Sequence, residues 1–209
     1  ESLDEDLAAD TLEEIEPEYK SSIIKDLSEA KAVEVLENMP NDEIADILDE
    51  LDDEEREKIL VNLETEDAEE VKELLKYENE TVGSIMSKDF ISFNLDITIG
   101  EIIDILRESN PEDEELNSIF IKDEDEKVIG IIELKDLILN SANVKAKEVM
   151  NENINILKHN ESINEAVEIA SKYDLMAIPV VDNSDVLIGV VNTHDLIDEV
   201  LYPMWKKKN

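Results

Sequence analysis

Cysteine is absent from all 209 residues, which excludes a disulfide framework, a thiolate metal site and a Cys nucleophile. Glycine is scarce, at four residues, and none of them forms a glycine-rich phosphate loop. Positive charge is also in short supply: 19 Lys+Arg stand against 57 Asp+Glu, a formal net charge of −38. That balance argues against nucleic acid as a partner, because phosphate contacts need Lys and Arg to release counterions. It argues against anionic lipid for the same reason. Long apolar runs are missing. The stretches 128–132 and 176–181 are among the longest, and a bilayer needs about 20 apolar residues. No charged-then-apolar signal segment opens the sequence. Histidine is limited to His159 and His194, with neither a metal-binding His pair nor a nucleophile elbow nearby. The expectation from these absences is an acidic, soluble, cytoplasmic protein that is not an enzyme.

What is present is a hydrophobic fraction of 42%, enough to favour a folded core over disorder. The length allows one large domain or two small ones. Acidity is unevenly spread: residues 1–80 carry 31 acidic and 7 basic side chains (net −24), and residues 81–209 carry 26 and 12 (net −14). The sequence pattern changes at the same place.

In the first segment, apolar residues recur every twelve positions: Leu12, Ile24, Leu36, Leu48 and Leu60. Three residues after each stands a second, at Ile15, Leu27, Met39, Leu51 and Leu63, with Leu75 as a final member. Spacing of i, i+3 marks one helical face. Twelve residues are not a whole number of turns, so one continuous helix would rotate each pair away from the last. Pro17, Pro40–Asn41–Asp42 and Asp52–Asp53 supply chain reversals, and Thr65 is placed as the N-cap of the last helix. The pattern predicts about six short helices stacked as a superhelical repeat, because no single unit can bury its stripe alone. Their outer faces are rich in carboxylates, including the i, i+4 pair Asp42 and Asp46, with Asp10 three periods before Asp46.

From Thr81 onward, short β-branched runs alternate with acidic turns, and the segment is duplicated. Ile119–Asp123 aligns with Ile178–Asp182, Gly130-Ile-Ile with Gly189-Val-Val, and Asp136-Leu-Ile with Asp195-Leu-Ile, all offset by 59. Upstream, Ser84-Ile-Met86 aligns with Glu148-Val-Met150 at an offset of 64, which places a five-residue insertion near 110–116 of the first copy. Strands are predicted over 118–123, 127–132, 178–182 and 186–191, and amphipathic helices over 98–108 and 162–173. Each copy therefore reads as β-α-β-β-α.

These residues resemble a tandem CBS-domain pair, carried by Ile178-Pro-Val-Val-Asp182 and Gly189-Val-Val-Asn-Thr-His-Asp195. With the acidic repeat ahead of it and the junction Leu74-Leu-Lys-Tyr77…Thr81-Val-Gly-Ser-Ile-Met86, the chain resembles the cytosolic region of MgtE-type magnesium transporters. The resemblance implies an α+β architecture: an all-α superhelical N domain over 1–78, CBS copies over 79–141 and 142–202, and a basic tail over 203–209. It also implies Mg²⁺ held by Asp10, Asp42 and Asp46 on the repeat and by Asp174, Asp195 and Asp198 on the CBS side. Mg²⁺ prefers oxygen ligands and typically takes one or two carboxylates per ion. An adenosine nucleotide is the second implied ligand, placed around Pro179, Val180, Asn192 and Asp195. At the hydroxyl position of that motif stand Asn192 in the second copy and Glu133 in the first, and a glutamate is electrostatically poor for a polyphosphate.

Two departures stand out. Ser162 and Asn164 are neutral where the family carries acids, and the sequence closes on Pro203-Met-Trp-Lys-Lys-Lys-Asn209 where a connecting helix would lead into a membrane domain. The implied function is a Mg²⁺-sensing regulatory module, dimeric through its CBS pairs and acting on a transporter domain in cis or in trans. Two alternatives compete with it: an adenosine-nucleotide sensor and a passive assembly scaffold.

Overall fold

The computed structural model describes residues 5–13, 15, 17–112 and 115–197. The chain divides into two compact units between Tyr77 and Glu78.

The first unit contains helices α1 (Glu5–Glu13), α2 (Pro17–Asp26), α3 (Glu29–Leu36), α4 (Asn41–Asp49), α5 (Asp53–Asn62) and α6 (Thr65–Leu74). Each packs on the helix two places away: α1 on α3, α2 on α4, α3 on α5 and α4 on α6. The twelve-residue repeat marks helix ends as much as helix faces. Its first member lies in the last turns of a helix, and its second lies just beyond, donating its N–H back to the first across a closing turn. These bonds run Ile15→Leu12 (3.1 Å), Leu27→Ile24 (3.2 Å), Met39→Leu36 (2.9 Å) and Leu51→Leu48 (3.2 Å). One period is thus a helix plus the turn that ends it. Leu12, Ile24, Leu36, Leu48 and Leu60 are all buried, as are Met39, Leu51 and Leu63. Full burial of such side chains stabilises by about 1.5–3 kcal/mol each, so the repeat supplies a large part of the core, to which off-repeat residues such as Val33, Ile44, Ile47 and Val71 add.

Starts of these helices follow the turn residues. Pro17 opens α2 and Pro40 caps α4. Asp52 caps α5 by accepting from the N–H groups of Glu54 and Glu55. At α6 the cap is Glu64, with Thr65 already the first helical residue. Side-chain bonds between helices use carboxylates: Lys20 donates to Glu43, Ser21 Oγ to Glu50 Oε2 at 2.6 Å, and Asn41 Nδ2 to Glu70 Oε2 at 2.9 Å.

The second unit holds β1 (Ile91–Asn94), α7 (Ile99–Ser109), β2 (Ile119–Lys122), β3 (Val128–Ile132), α8 (Leu134–Leu139), α9 (Ala146–Val149), β4 (Leu157–Lys158), α10 (Ile163–Tyr173), β5 (Ala177–Val181) and β6 (Leu187–Asn192), then helical residues 193–197. There are two three-stranded sheets, β1-β2-β3 and β4-β5-β6, each with one parallel and one antiparallel pairing. The duplication extends to details. Thr98 and Ser162 close capping boxes with Glu101 and Glu165, and Asn110 and Asp174 end α7 and α10 in the left-handed region (φ 47° and 53°). All three pairs stand at the offset of 64. Hairpin turns behave likewise at 59: Asp123 and Asp182 accept two backbone N–H groups each, and Glu126 and Asp185 take positive φ (61° and 65°). The change of offset falls between Asn110 and Ser118, where the first copy inserts a 3₁₀ turn over Glu115–Asn117.

The copies are interlocked. The segment leading into the first copy pairs with the second copy's sheet, Ser87 with Val190, and the segment leading into the second pairs with the first, Asn151 with Ile131. Ser87 and Val190 exchange backbone bonds of 2.8 and 3.0 Å, and Ile131 and Asn151 exchange bonds of 3.1 and 2.9 Å. Met86 then lies over Gly189, and Met150 over Gly130. Between the sheets, Phe120 and Val128 pack with Ala177, Val181, Leu187 and Val190 in one shared core. The linker is tied back by Asp96, whose Oδ1 accepts from both Lys145 and Lys147 at 2.8 Å.

At Gly189 an added Cβ would lie 2.8 Å from the Ser87 carbonyl oxygen and 2.8 Å from Met86 Sδ, whereas at Gly130 its nearest neighbours are the Met150 side-chain atoms, beginning with Sδ at 2.6 Å. Backbone cannot yield as a thioether can, so Gly189→Ala costs about 1–3 kcal/mol in urea unfolding and Gly130→Ala costs less; equal costs contradict the interlock geometry. The hydrogen bonds from Lys145 and then Lys147 hold the Asp96 carboxyl at about 2, below its ordinary 3.8. Folding therefore favours the ionised form, a contribution present above pH 3.8 and lost as pH falls from there through 2. Asp96→Asn flattens melting temperature against pH across that window, and a slope identical to the parent refutes the assignment.

Candidate functional site

The interlock creates two crevices between the CBS-like copies, related by the internal duplication. One is an open cavity of about 360 Å³. Ser118, Glu133 and Lys135 of the first copy line it, together with Asn151, Asn153 and Asn155 of the connecting strap and Asp174 and Met176 of the second copy. Its twin is bounded by Asp89, Phe90, Glu115, Phe120, Val190 and Asn192, and has no free volume for a water-sized molecule. Several of these residues are equivalents: Asn192 of Glu133, Val190 of Ile131, Phe90 of Ile154. The twin is closed by aromatic packing. Phe90 meets Phe120 edge to face, with ring centroids 6.2 Å apart and planes at 76°.

Among the described residues, three charged side chains line the open cleft: Glu133, Lys135 and Asp174. Lys135 Nζ lies 2.5 Å from Glu133 Oε2, and this hydrogen bond raises the ammonium above its ordinary pKa. Glu133 is also the N-cap of α8, and its backbone N–H donates to Asp136 Oδ2 at 3.1 Å. Asp174 is exposed at the C-terminal end of α10.

The nucleotide residues expected from sequence fall elsewhere. Pro179 and Val180 are buried within β5, where they pair with Val190 and Gly189. Asn192 is buried and borders the closed crevice. Asp195 lies in the 193–197 helix, its Oδ1 3.0 Å from His194 Nδ1. None of the four lines the open cavity. The cavity's own polar lining was not selected from sequence, apart from Glu133 as a motif position and Asp174 as a cation ligand. The asparagines of Asn151-Glu-Asn-Ile-Asn155 were the available signal, since that segment enters the second copy at the offset of 64.

Of the expected Mg²⁺ ligands, Asp42 and Asp46 lie one turn apart on α4, half-buried and exposed respectively. Asp174 and Asp195 belong to the second unit. Asp10 lies on α1, but its side chain is outside the described residues, as are Asp198 and the basic tail 203–209. Among the described residues, no three His, Asp or Glu side chains within the structure converge on one point. Among them too, no helix is long and apolar enough to cross a membrane.

Comparison with known proteins agrees with the architecture. The MgtE intracellular N domain matches residues 1–80, and the CBS domain matches 82–143 and 146–202. The chain belongs to the CBS-domain family and carries an MgtE N domain ahead of its CBS pair. The magnesium transporter MgtE of Enterococcus faecalis is 30% identical over 130 residues, covering 62% of this chain and 29% of that protein. This chain thus spans under a third of that relative. The crystal structure of the soluble part of a magnesium transporter superposes with a TM-score of 0.88 at 29% identity, covering 96% of this chain and 79% of the other. The cytosolic domain of the Mg²⁺ channel MgtE in complex with ATP gives 0.89 at 26% identity, covering 95% and 81%. This homology is to the soluble, cytosolic part of a magnesium transporter, a non-enzymatic region.

Proposed function

We propose that the chain is a cytosolic Mg²⁺-sensing module that regulates a magnesium transporter domain, joined in cis or met in trans. The observation that carries this reading is the partition of charge in a chain of MgtE family architecture. The helical segment holds a net −24 and the CBS segment −14, so two like-charged bodies share one chain. Divalent cations between them replace repulsion by shared coordination, with Asp10, Asp42 and Asp46 on one body and Asp174, Asp195 and Asp198 on the other. Exposed charges are screened beyond about 8–10 Å at ordinary ionic strength, so the effect requires several carboxylates acting together at close range. The cation shifts the equilibrium only by its preference for the docked arrangement.

Dimerisation through the CBS pair is part of the reading. Ile138 on α8 and Ile197 are equivalents at the offset of 59, and both are exposed, at 81% and 49%. Leu139 beside Ile138 is 78% exposed. A second copy of the chain is the occupant that would cover this repeated apolar face.

A second reading, an adenosine nucleotide bound by the CBS pair, is favoured by the open cavity. Its volume falls within the range of about 300–1,000 Å³ for small-molecule sites. A homologous cytosolic domain of the same architecture is known in complex with ATP.

Small-angle scattering at fixed ionic strength tests the first reading. Millimolar Mg²⁺ lowers the radius of gyration of the parent chain and leaves the Asp42→Asn/Asp46→Asn variant expanded; an unchanged parent overturns the reading. For the dimer, Ile138→Glu raises the dissociation constant by about a hundredfold, from loss of one buried Ile per copy. Light scattering checks this, and a variant that dimerises like the parent refutes the interface.

A further inference from the structure

The lead-in segment of each CBS copy is fastened to the other copy just ahead of that copy's long helix, and the two fastenings are equivalent at the offset of 64. Val82 donates its N–H to Glu161 O at 2.8 Å and Gly83 to His159 O at 2.7 Å. In the twin, Ala146 donates to Ile97 O at 2.8 Å and Lys147 to Leu95 O at 3.2 Å. The inner ends are thus held alike. The outer ends, 78–81 and 142–145, are not. We propose that residues 78–81 are a latch, which detaches from the start of α10 while Val82 and Gly83 hold, so that the connection from the helical unit alternates between a tied and a free form. It operates whichever ligand the module senses.

Four differences all weaken the outer end at the junction. Ile163 donates its N–H to Glu80 O at 3.3 Å, whereas its equivalent Ile99 donates to Val144 O at 2.9 Å. Gly100 adds a further bond, to Ala142 O at 2.8 Å, an approach that suits glycine because an added Cβ would lie 3.0 Å from that oxygen. Asn164 stands at the equivalent position, and among the described residues no backbone bond joins it to Glu78. Val144 packs against the first copy's core, whereas Glu80 is exposed and takes positive φ (64°), a conformation disfavoured for a residue with a Cβ. Charge differs last. Asp96 Oδ1 accepts from Lys145 and Lys147 at 2.8 Å, and the equivalents are Asn160, Thr81 and Gly83, which form no ion pair. Val82, by contrast, is fully buried and larger than its equivalent Ala146, so the inner end keeps its hold. Freeing four residues adds about 13 Å of extended chain where the helical unit ends. A longer tether changes the effective concentration of whatever it joins.

Residue-resolved hydrogen exchange on the full chain reads the latch, because Ile163 and Ile99 are the same residue type at equivalent positions. The Ile163 amide is expected to exchange faster than that of Ile99 by about tenfold or more, the factor carried by an exposed ion pair together with one left-handed residue that is not glycine. Val82 keeps protection comparable to Ala146. Thr81→Lys with Asn160→Asp transplants the ion pair and slows Ile163 toward Ile99, and Asp96→Asn speeds Ile99 while leaving Ile163 unchanged. Equal exchange at the two isoleucines overturns the proposal. So does a Val82 amide that opens as fast as Ile163, because the whole segment then leaves together. If the transplanted pair prevents folding, Asp96→Asn decides: an Ile99 amide that exchanges as in the parent overturns the part given to the ion pair, and the latch with it.

Discussion

The second unit depends on a reciprocal contact in which the lead-in segment of each CBS copy belongs to the sheet of the other. Ser87 pairs with Val190 and Asn151 with Ile131, and a methionine lies over a glycine at each crossing. Because each copy lends an edge to its partner, neither sheet is complete alone, and the duplicated halves form one compact body with a shared core around Phe120 and Val181. The crevices are a consequence. They open where the crossing segments pass between the sheets, so their size depends on which side chains those segments carry. Phe90 closes one, and its equivalent Ile154, a smaller side chain without a ring, borders the open one.

In the first unit a different economy operates. A twelve-residue period is one helix and its closing turn, so the same leucines that fill the core also end the helices. This leaves the remaining positions free to be acidic. Some carboxylates there bond between helices, as in Lys20–Glu43 and Asn41–Glu70. Acidity is tolerated because helix formation here rests on packing more than on surface charge. The sensing mechanism proposed above draws on this acidity.

Much of this was readable beforehand. The six helices, the starts of α7 and α10 and the insertion near 110–116 all follow from period, amphipathic pattern and the switch of offset from 64 to 59. Element boundaries moved by a residue or so, and Thr65 gave way to Glu64 as the cap of α6. The open cleft was much less legible. A motif transferred along the chain pointed to Pro179 and Asn192, which the fold buries in or beside β5 and β6. Nothing in a one-dimensional alignment says that Phe90 folds onto Phe120, because the two rings are thirty residues apart in different elements. The charge state of the open cleft was half visible: Glu133 was evident as a substitution, but its hold on Lys135 required coordinates.

By itself the sequence determined what is local or periodic. It set helix length in the repeat, strand and helix order in the duplication, the acidic partition at residue 80, and the exclusion of thiol chemistry. Such features depend on neighbours within a few positions or on a fixed spacing, and both survive in one dimension. Tertiary structure alone decided which of two equivalent crevices is open and which charges face it. Both depend on side chains brought together by strands that cross between copies, at separations that no spacing rule records.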